Sequence, residues 1–138
     1  MTPLAGIKVL DFSTLLPGPL ATLMLAEAGA QVIKIEREAA GDEMRHRRPV
    51  LGAASASFAM LNGGKRSIAI DLKAPGAIAR LTPLLAVADV LVEQFRPGVM
   101  VRLGLGYDAV RAINPRIIYC SLTGYGQTGP LRELPGHD

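Results

Sequence analysis

Residues 6–36, GIKVLDFSTLLPGPLATLMLAEAGAQVIKIE, decide the fold class. Ile7 to Phe12 is a short apolar run, and Gln31 to Glu36 is another, rich in β-branched residues. Between them Pro17-Gly18-Pro19 marks a turn, and LATLMLAEAGA supplies strong helix formers closed by Gly29. The pattern predicts strand, loop, helix, strand.

The same unit recurs downstream. Ser67 to Leu72 reads as a strand, Pro75 opens a helix carried by GAIARLTPLLAVA (76–88), and Asp89 to Phe95 is the next strand. Pro83 interrupts that helical stretch and implies a kink or a late start. After Arg96-Pro97-Gly98 come helical VMVRLGLG and YDAVRAI, then Asn114-Pro115 and a final strand RIIYCSLT (116–123). Val/Ile/Leu-rich strands alternating with helices predict an α/β fold, a mostly parallel sheet with helices on both faces, Rossmann-like in outline. Ligands of such sheets collect at the carboxyl ends of the strands, so the loops STLLPGP, REAAGDEMRHRRP, KAPG, RPG and GYGQTGP hold the candidate site.

Composition narrows the function classes. The chain has 138 residues, 49% hydrophobic and 20% charged, which suits one globular domain. A formal charge of +3, three Phe, three Tyr and no Trp leave little surface for stacking bases, so a nucleic-acid role is not expected. The single Cys120 excludes an intrachain disulfide framework and reads as a small buried hydrophobe in a reducing compartment. No basic region followed by an apolar core opens the chain, and PGPLATLMLAEAG is interrupted by Glu27 and too short for a bilayer. A cytoplasmic protein without membrane contact is expected.

The segment from Glu36 to Gly64 reads two ways. Its charges alternate and then turn basic at Arg45, Arg47 and Arg48, as in a solvated excursion between strands or a basic wall for a polyanion. GYGQTG (124–129) satisfies G-x-G-x-x-G, but Pro130 and Pro135 deny it the helix that a dinucleotide site needs. NGGKRS lacks the leading glycine of a phosphate loop and has Arg66 where a magnesium-binding hydroxyl belongs, although its amides and two cations suit an anion nest. Two histidines and one cysteine, widely separated, exclude a structural zinc site, so no metal is expected, and no G-x-S-x-G elbow is present. His137 and Asp138 follow Pro135-Gly136; as sequence neighbours they would serve different partners.

Taken together, residues 6–37, NGGKRSIAIDLK, VLVEQFRPGVMVRLGLGYDAVRAINPRIIYCSLTGYGQTGP and PGHD resemble the family III CoA-transferases (the CaiB/BaiF proteins), most closely the α-methylacyl-CoA racemases among them. The resemblance runs through the whole chain. It implies that residues 1–138 are the N-terminal part of a large Rossmann-like CoA-binding domain, with the family's small domain missing. It also implies an acyl-CoA substrate, no resident cofactor, and an interlocked homodimer at full length. Carried over by position, the CoA contacts are Arg37, Ile70, Asp71, Leu72, Lys73, Gln94, Phe95, Arg96, Arg102 and Gly136, and Arg45, Arg47, Arg48, Lys65 and Arg66 add to the positive field. Arginine and lysine at strand ends match the phosphates of CoA.

The terminal GHD looks like the racemase version of this position. Inverting a centre beside a thioester takes two acid/base groups on opposite faces, and by resemblance His137 is one, with Asp138 supporting it. The opposite-face aspartate of the family falls outside these residues. The expectation is therefore a 2-methylacyl-CoA racemase acting through an enolate. The alternatives are a CoA-transferase moving CoA between carboxylic acids, or a non-catalytic CoA-binding remnant or half of a split enzyme. Loss of the small domain would leave apolar faces bare.

Overall fold

The computed structural model describes residues 2–136, apart from the side chain of Leu51. Its elements are β1 (Lys8–Asp11), α1 (Pro17–Glu27), β2 (Gln31–Glu36), a 3-10 turn (Glu43–His46), β3 (Val50–Leu51), β4 (Ala54–Ser55), α2 (Ala56–Asn62), β5 (Arg66–Ala69), α3 (Ala77–Val87), β6 (Val90–Glu93), α4 (Val99–Arg102), α5 (Tyr107–Ile113) and β7 (Ile118–Ser121).

Five strands form one sheet in the order β5-β2-β1-β6-β7, and every pair in it is parallel. Side-chain alternation divides β1 between two cores. Leu10 and Phe12 join Ile35, Leu81, Leu85, Leu91, Leu105 and Val110 beneath α3 and α5. Val9 joins Val32 and Val92 on the α1 side. The α/β architecture with helices on both faces therefore follows from the alternating apolar runs read in the sequence.

Three local readings change. Pro17-Gly18-Pro19 is the first turn of α1 rather than a turn before it; the missing amide of Pro17 costs nothing at a helix start. Helix α3 runs unbroken through Pro83 from Ala77, so there is no late start. The excursion between β2 and β5 is not simply solvated: it carries a small antiparallel ribbon, β3 with β4, and α2, and buries Asp42, Ser55, Phe58, Leu61 and Asn62. Ser55 explains the start of α2, since its hydroxyl accepts from Phe58 N at 3.0 Å.

No helix of the described residues is long and apolar enough to cross a membrane.

Candidate functional site

Strand order reverses direction at β1: the chain goes from β1 outward to β2 and β5, then crosses to β6 and β7. The crevice between the carboxyl ends of β1 and β6 is therefore the topological switch point. Its floor is polar. Each of the three central strands ends in a buried carboxylate: Asp11 on β1, Glu36 on β2 and Glu93 on β6.

On the α1 face, Asp11 and Lys34 are register partners, and two ammonium groups meet two carboxylates there. Lys34 Nζ lies 2.9 Å from Asp42 Oδ2 and donates to Ser13 O at 2.6 Å. Asp42 Oδ2 has that ammonium as its ionic neighbour and no conventional hydrogen bond among the described residues. Lys65 Nζ reaches Asp11 Oδ2 at 3.3 Å, Pro19 O and Thr22 Oγ1 at 2.8 Å, and Asn62 Oδ1 at 3.0 Å. Burial lowers the Lys65 pKa, and the nearby Asp11 charge offsets only part of that. Lys65 is thus an internal cation, not part of a field facing solvent.

Arg45 is likewise committed. It donates from Nε and Nη2 to Glu36 at 2.7 Å each and stacks over the Phe58 ring at 3.8 Å. Burial alone would raise the Glu36 pKa, but the Arg45 bonds, the Asp42 amide and the Lys34 charge outweigh it and hold the carboxyl below its ordinary value.

Above this floor the loop from Ser13 to Gly18 is pinned from several sides. Asp11 Oδ1 accepts from Ser13 N at 2.9 Å, and Leu15 N points to Asp42 Oδ1 at 3.4 Å. From β6, Gln94 Nε2 donates to Thr14 O at 2.6 Å, while its Oε1 accepts from Gly18 N at 3.1 Å. Leu15 sits at φ 62°, a conformation that costs a non-glycine residue free energy and persists only where the surroundings enforce it.

The rim is basic. Arg37 follows β2, exposed and paired with Glu43 at 2.9 Å; it lines a shallow pocket of about 210 Å³ with Arg45, Ser67 and Ala69. Lys73 is exposed, its amide held by Asp71 Oδ1 at 2.9 Å. Arg96 and Arg102 are exposed at the start and end of the turn that carries α4, and Gly98 leaves room for the Arg102 guanidinium, 3.3 Å from where a Cβ would stand. Ile70 is buried and Leu72 half-buried against the main core, so this stretch offers a ligand chiefly backbone. Phe95 packs against the same core, and its amide donates to Glu93 Oε2 at 2.9 Å.

On the α4 and α5 face, Glu93, Arg96, Met100, Tyr107, Tyr119, Ser121 and Gln127 line a cavity of about 610 Å³. Burial raises the Glu93 pKa against the lowering effect of its bonds from Ser121 and the Phe95 amide. Burial, and then the Glu93 charge, also raise that of Tyr119.

At the far end Gly124 and Gly136 meet back to back: a Cβ on Gly124 would stand 2.3 Å from Gly136 Cα. This close approach places residue 136 beside Gly124, just beyond the end of β7. His137 and Asp138, read from the sequence as the catalytic pair, lie outside the described residues.

The structure thus gathers Arg37, Lys73, Gln94, Arg96 and Arg102 along one edge of the sheet. Sequence reading missed Glu93, Lys34 and Asp42. A charge closing each otherwise apolar strand, in VLD, VIKIE and VLVE, was the available signal. Among the described residues no group of three or more His, Cys, Asp or Glu side chains is placed to hold a metal.

A parallel α/β sheet with a pinned loop at its switch point and cations along its carboxyl edge is the class of architecture in which ligands collect at that crevice, and the exposed cations suit an anionic one. The chain belongs to CoA-transferase family III, whose family model matches residues 4–138. It is 46% identical to human succinyl-CoA:glutarate CoA-transferase over 99% of this chain and 31% of that protein. It is also 46% identical to acetyl-CoA:oxalate CoA-transferase of Acetobacter aceti, over 99% of this chain and 35% of the relative. Among solved structures, a CaiB/BaiF family protein from Brucella suis superposes with a TM-score of 0.92 at 40% identity, covering 99% of this chain and 37% of that one. The chain spans about a third of the length of the curated relatives it matches.

Proposed function

We propose that the protein carrying this chain is a CoA-transferase that moves CoA between carboxylic acids, and that residues 1–138 supply the N-terminal part of its CoA-binding domain. The observation that carries this reading is 46% identity, across nearly all of this chain, to two transferases whose names specify dicarboxylic acids. These relatives support transfer better than they support racemisation. The exposed cations Arg37, Lys73, Arg96 and Arg102 would meet the phosphates of CoA, and the backbone from Ile70 to Leu72 would line its path. Transfer through the family's aspartate, an acyl anhydride and then an enzyme thioester, would use a residue outside this chain. The exposed Leu16, Leu20 and Met24, spaced as one stripe along α1, favour a covered position in a larger assembly, in keeping with the interlocked homodimer expected for the family.

One observation favours a second reading. Pro135-Gly136-His137-Asp138 has the residue types of a racemase acid/base, with His137 removing the α-proton of a 2-methylacyl-CoA and Asp138 supporting it.

The two separate cleanly with the whole polypeptide. Incubation with succinyl-CoA and free glutarate or oxalate should yield the new thioester and free succinate. Racemisation would instead show as deuterium entering C2 of a 2-methylacyl-CoA in heavy water, abolished in His137→Ala. CoA binding without either reaction would leave a non-catalytic CoA-binding role.

A further inference from the structure

The resemblance carries Gln94 over as a CoA contact, yet both ends of its side-chain amide are already bonded within the protein. Nε2 faces the Thr14 carbonyl at 2.6 Å and Oε1 faces the Gly18 amide at 3.1 Å. The orientation is determined, since turning the amide over would set oxygen against oxygen and N–H against N–H. Gln94 follows β6 directly, and its partners lie on the loop after β1 and in the first turn of α1, so the two bonds cross the switch-point crevice. Gly18 is half of the same device: a Cβ there would stand 2.7 Å from Gln94 Oε1.

The loop has little else on this side. Lys34 and Asp42 hold Ser13 and Leu15 from the β2 side, and among the described residues Gln94 is the side chain that holds it from the β6 side. Leu15 at φ 62° requires enforcement from both. We propose that Gln94 is a positioning residue, clamping the Thr14–Gly18 loop across the β1–β6 crevice so that the loop forms a fixed wall for the reacting acyl group, rather than a side chain that binds CoA. This rests on the transferase reading for its catalytic consequence, but not for the clamp itself.

The test compares two variants of the whole polypeptide with wild type. Gln94→Met keeps the length and removes both bonds; Gln94→Glu keeps an acceptor for Gly18 N but sets a carboxylate oxygen against Thr14 O. Using both guards against one failing to fold. Amide hydrogen exchange across residues 13–20 should quicken in each. The dissociation constant for free CoA should stay within about threefold, while kcat for CoA transfer should fall by about 10- to 100-fold, as for a misplaced reacting group.

Loop exchange unchanged from wild type would overturn the clamp. So would CoA affinity reduced by about tenfold with kcat intact, the mark of a lost binding contact. If wild type transfers no CoA, the transferase reading fails, and the exchange comparison still decides whether Gln94 clamps the loop.

Discussion

Lys65 Nζ lies 3.3 Å from Asp11 Oδ2, and the two side chains are 1% and 0% exposed. Lys65 immediately precedes β5 and Asp11 ends β1, and these strands are not neighbours, since β2 lies between them. The pair therefore staples the chain entering β5 to the central strand, beneath Pro19 and Thr22 of α1. Lys65→Met leaves Asp11 buried without its cation and should cost about 3–5 kcal/mol of stability. Urea unfolding measures it, and adding Asp11→Asn should recover part of the loss, giving a coupling energy above about 0.5 kcal/mol. A Lys65 that served phosphate binding would instead leave stability intact and weaken CoA binding with a change in salt dependence.

Two buried carboxylates on opposite faces of the sheet should respond to pH with opposite signs. Glu93 has a folded pKa raised above 4.5, so the native state holds the proton more tightly than the unfolded chain and stability falls as pH rises from 4.5 through the folded value. Glu93→Gln removes that penalty while still accepting a bond from the Phe95 amide. The variant should be more stable than wild type at neutral pH, with the advantage disappearing below 4.5. Glu36 has a folded pKa below 4.5, so its contribution is present above 4.5 and is lost as pH falls through the folded value. Glu36→Gln should therefore destabilise at neutral pH, and the difference should close in acid. Thermal melts of the three proteins across that range check both signs.

The sheet was legible because each of its strands is a short apolar run and the alternation of Val9 with Leu10, or Val32 with Ile33, already assigns residues to two faces. The boundaries were less so. Pro17 reads as a turn in isolation and becomes helical because α1 can start on a residue with no amide to satisfy. The exposure of Arg37, Lys73, Arg96 and Arg102 was legible: among the described residues no ion pair draws any of them in, beyond that of Arg37 with the exposed Glu43. The pairing of Arg45 and Lys65 was not legible, since their partners Glu36 and Asp11 are 9 and 54 positions away. Local charge patterns cannot tell a solvated lysine from one paired across the fold. Nor could they show that Asp42, placed in a polar stretch, returns to the floor of the crevice beside Lys34.

Gly124 is held to glycine by space. A Cβ there would stand 2.3 Å from Gly136 Cα; the backbone fixes where the Cβ sits, and the atom it meets is itself backbone that cannot rotate away. Because residues 124–136 are exposed, the strain should be relieved by the segment leaving β7 rather than by loss of the core. Gly124→Ala should thus leave the melting temperature within about 2–4 °C of wild type, a change below about 1 kcal/mol. Proteolytic cleavage between residues 125 and 136 should rise severalfold. Loss of either reaction assayed above, with CoA affinity retained, would place residues 136–138 at the reacting end.

Gly18 offers the sharpest cross-examination of the crevice. A Cβ on it would stand 2.1 Å from Ser13 Cβ and 2.7 Å from Gln94 Oε1, so Gly18→Ala must push the loop and Gln94 apart. Overpacking of this kind costs about 1–3 kcal/mol, measurable by urea unfolding. If the loop wall depends on the Gln94 bonds, Gly18→Ala should reduce CoA transfer to the same extent as Gln94→Met. The double variant should then be no worse than either single one, because both act on one contact and the second change finds nothing left to break. Fully additive losses would mean that Gly18 and Gln94 act on different parts of the site, with Gln94 reaching the ligand by itself and the loop held by Lys34 and Asp42 alone.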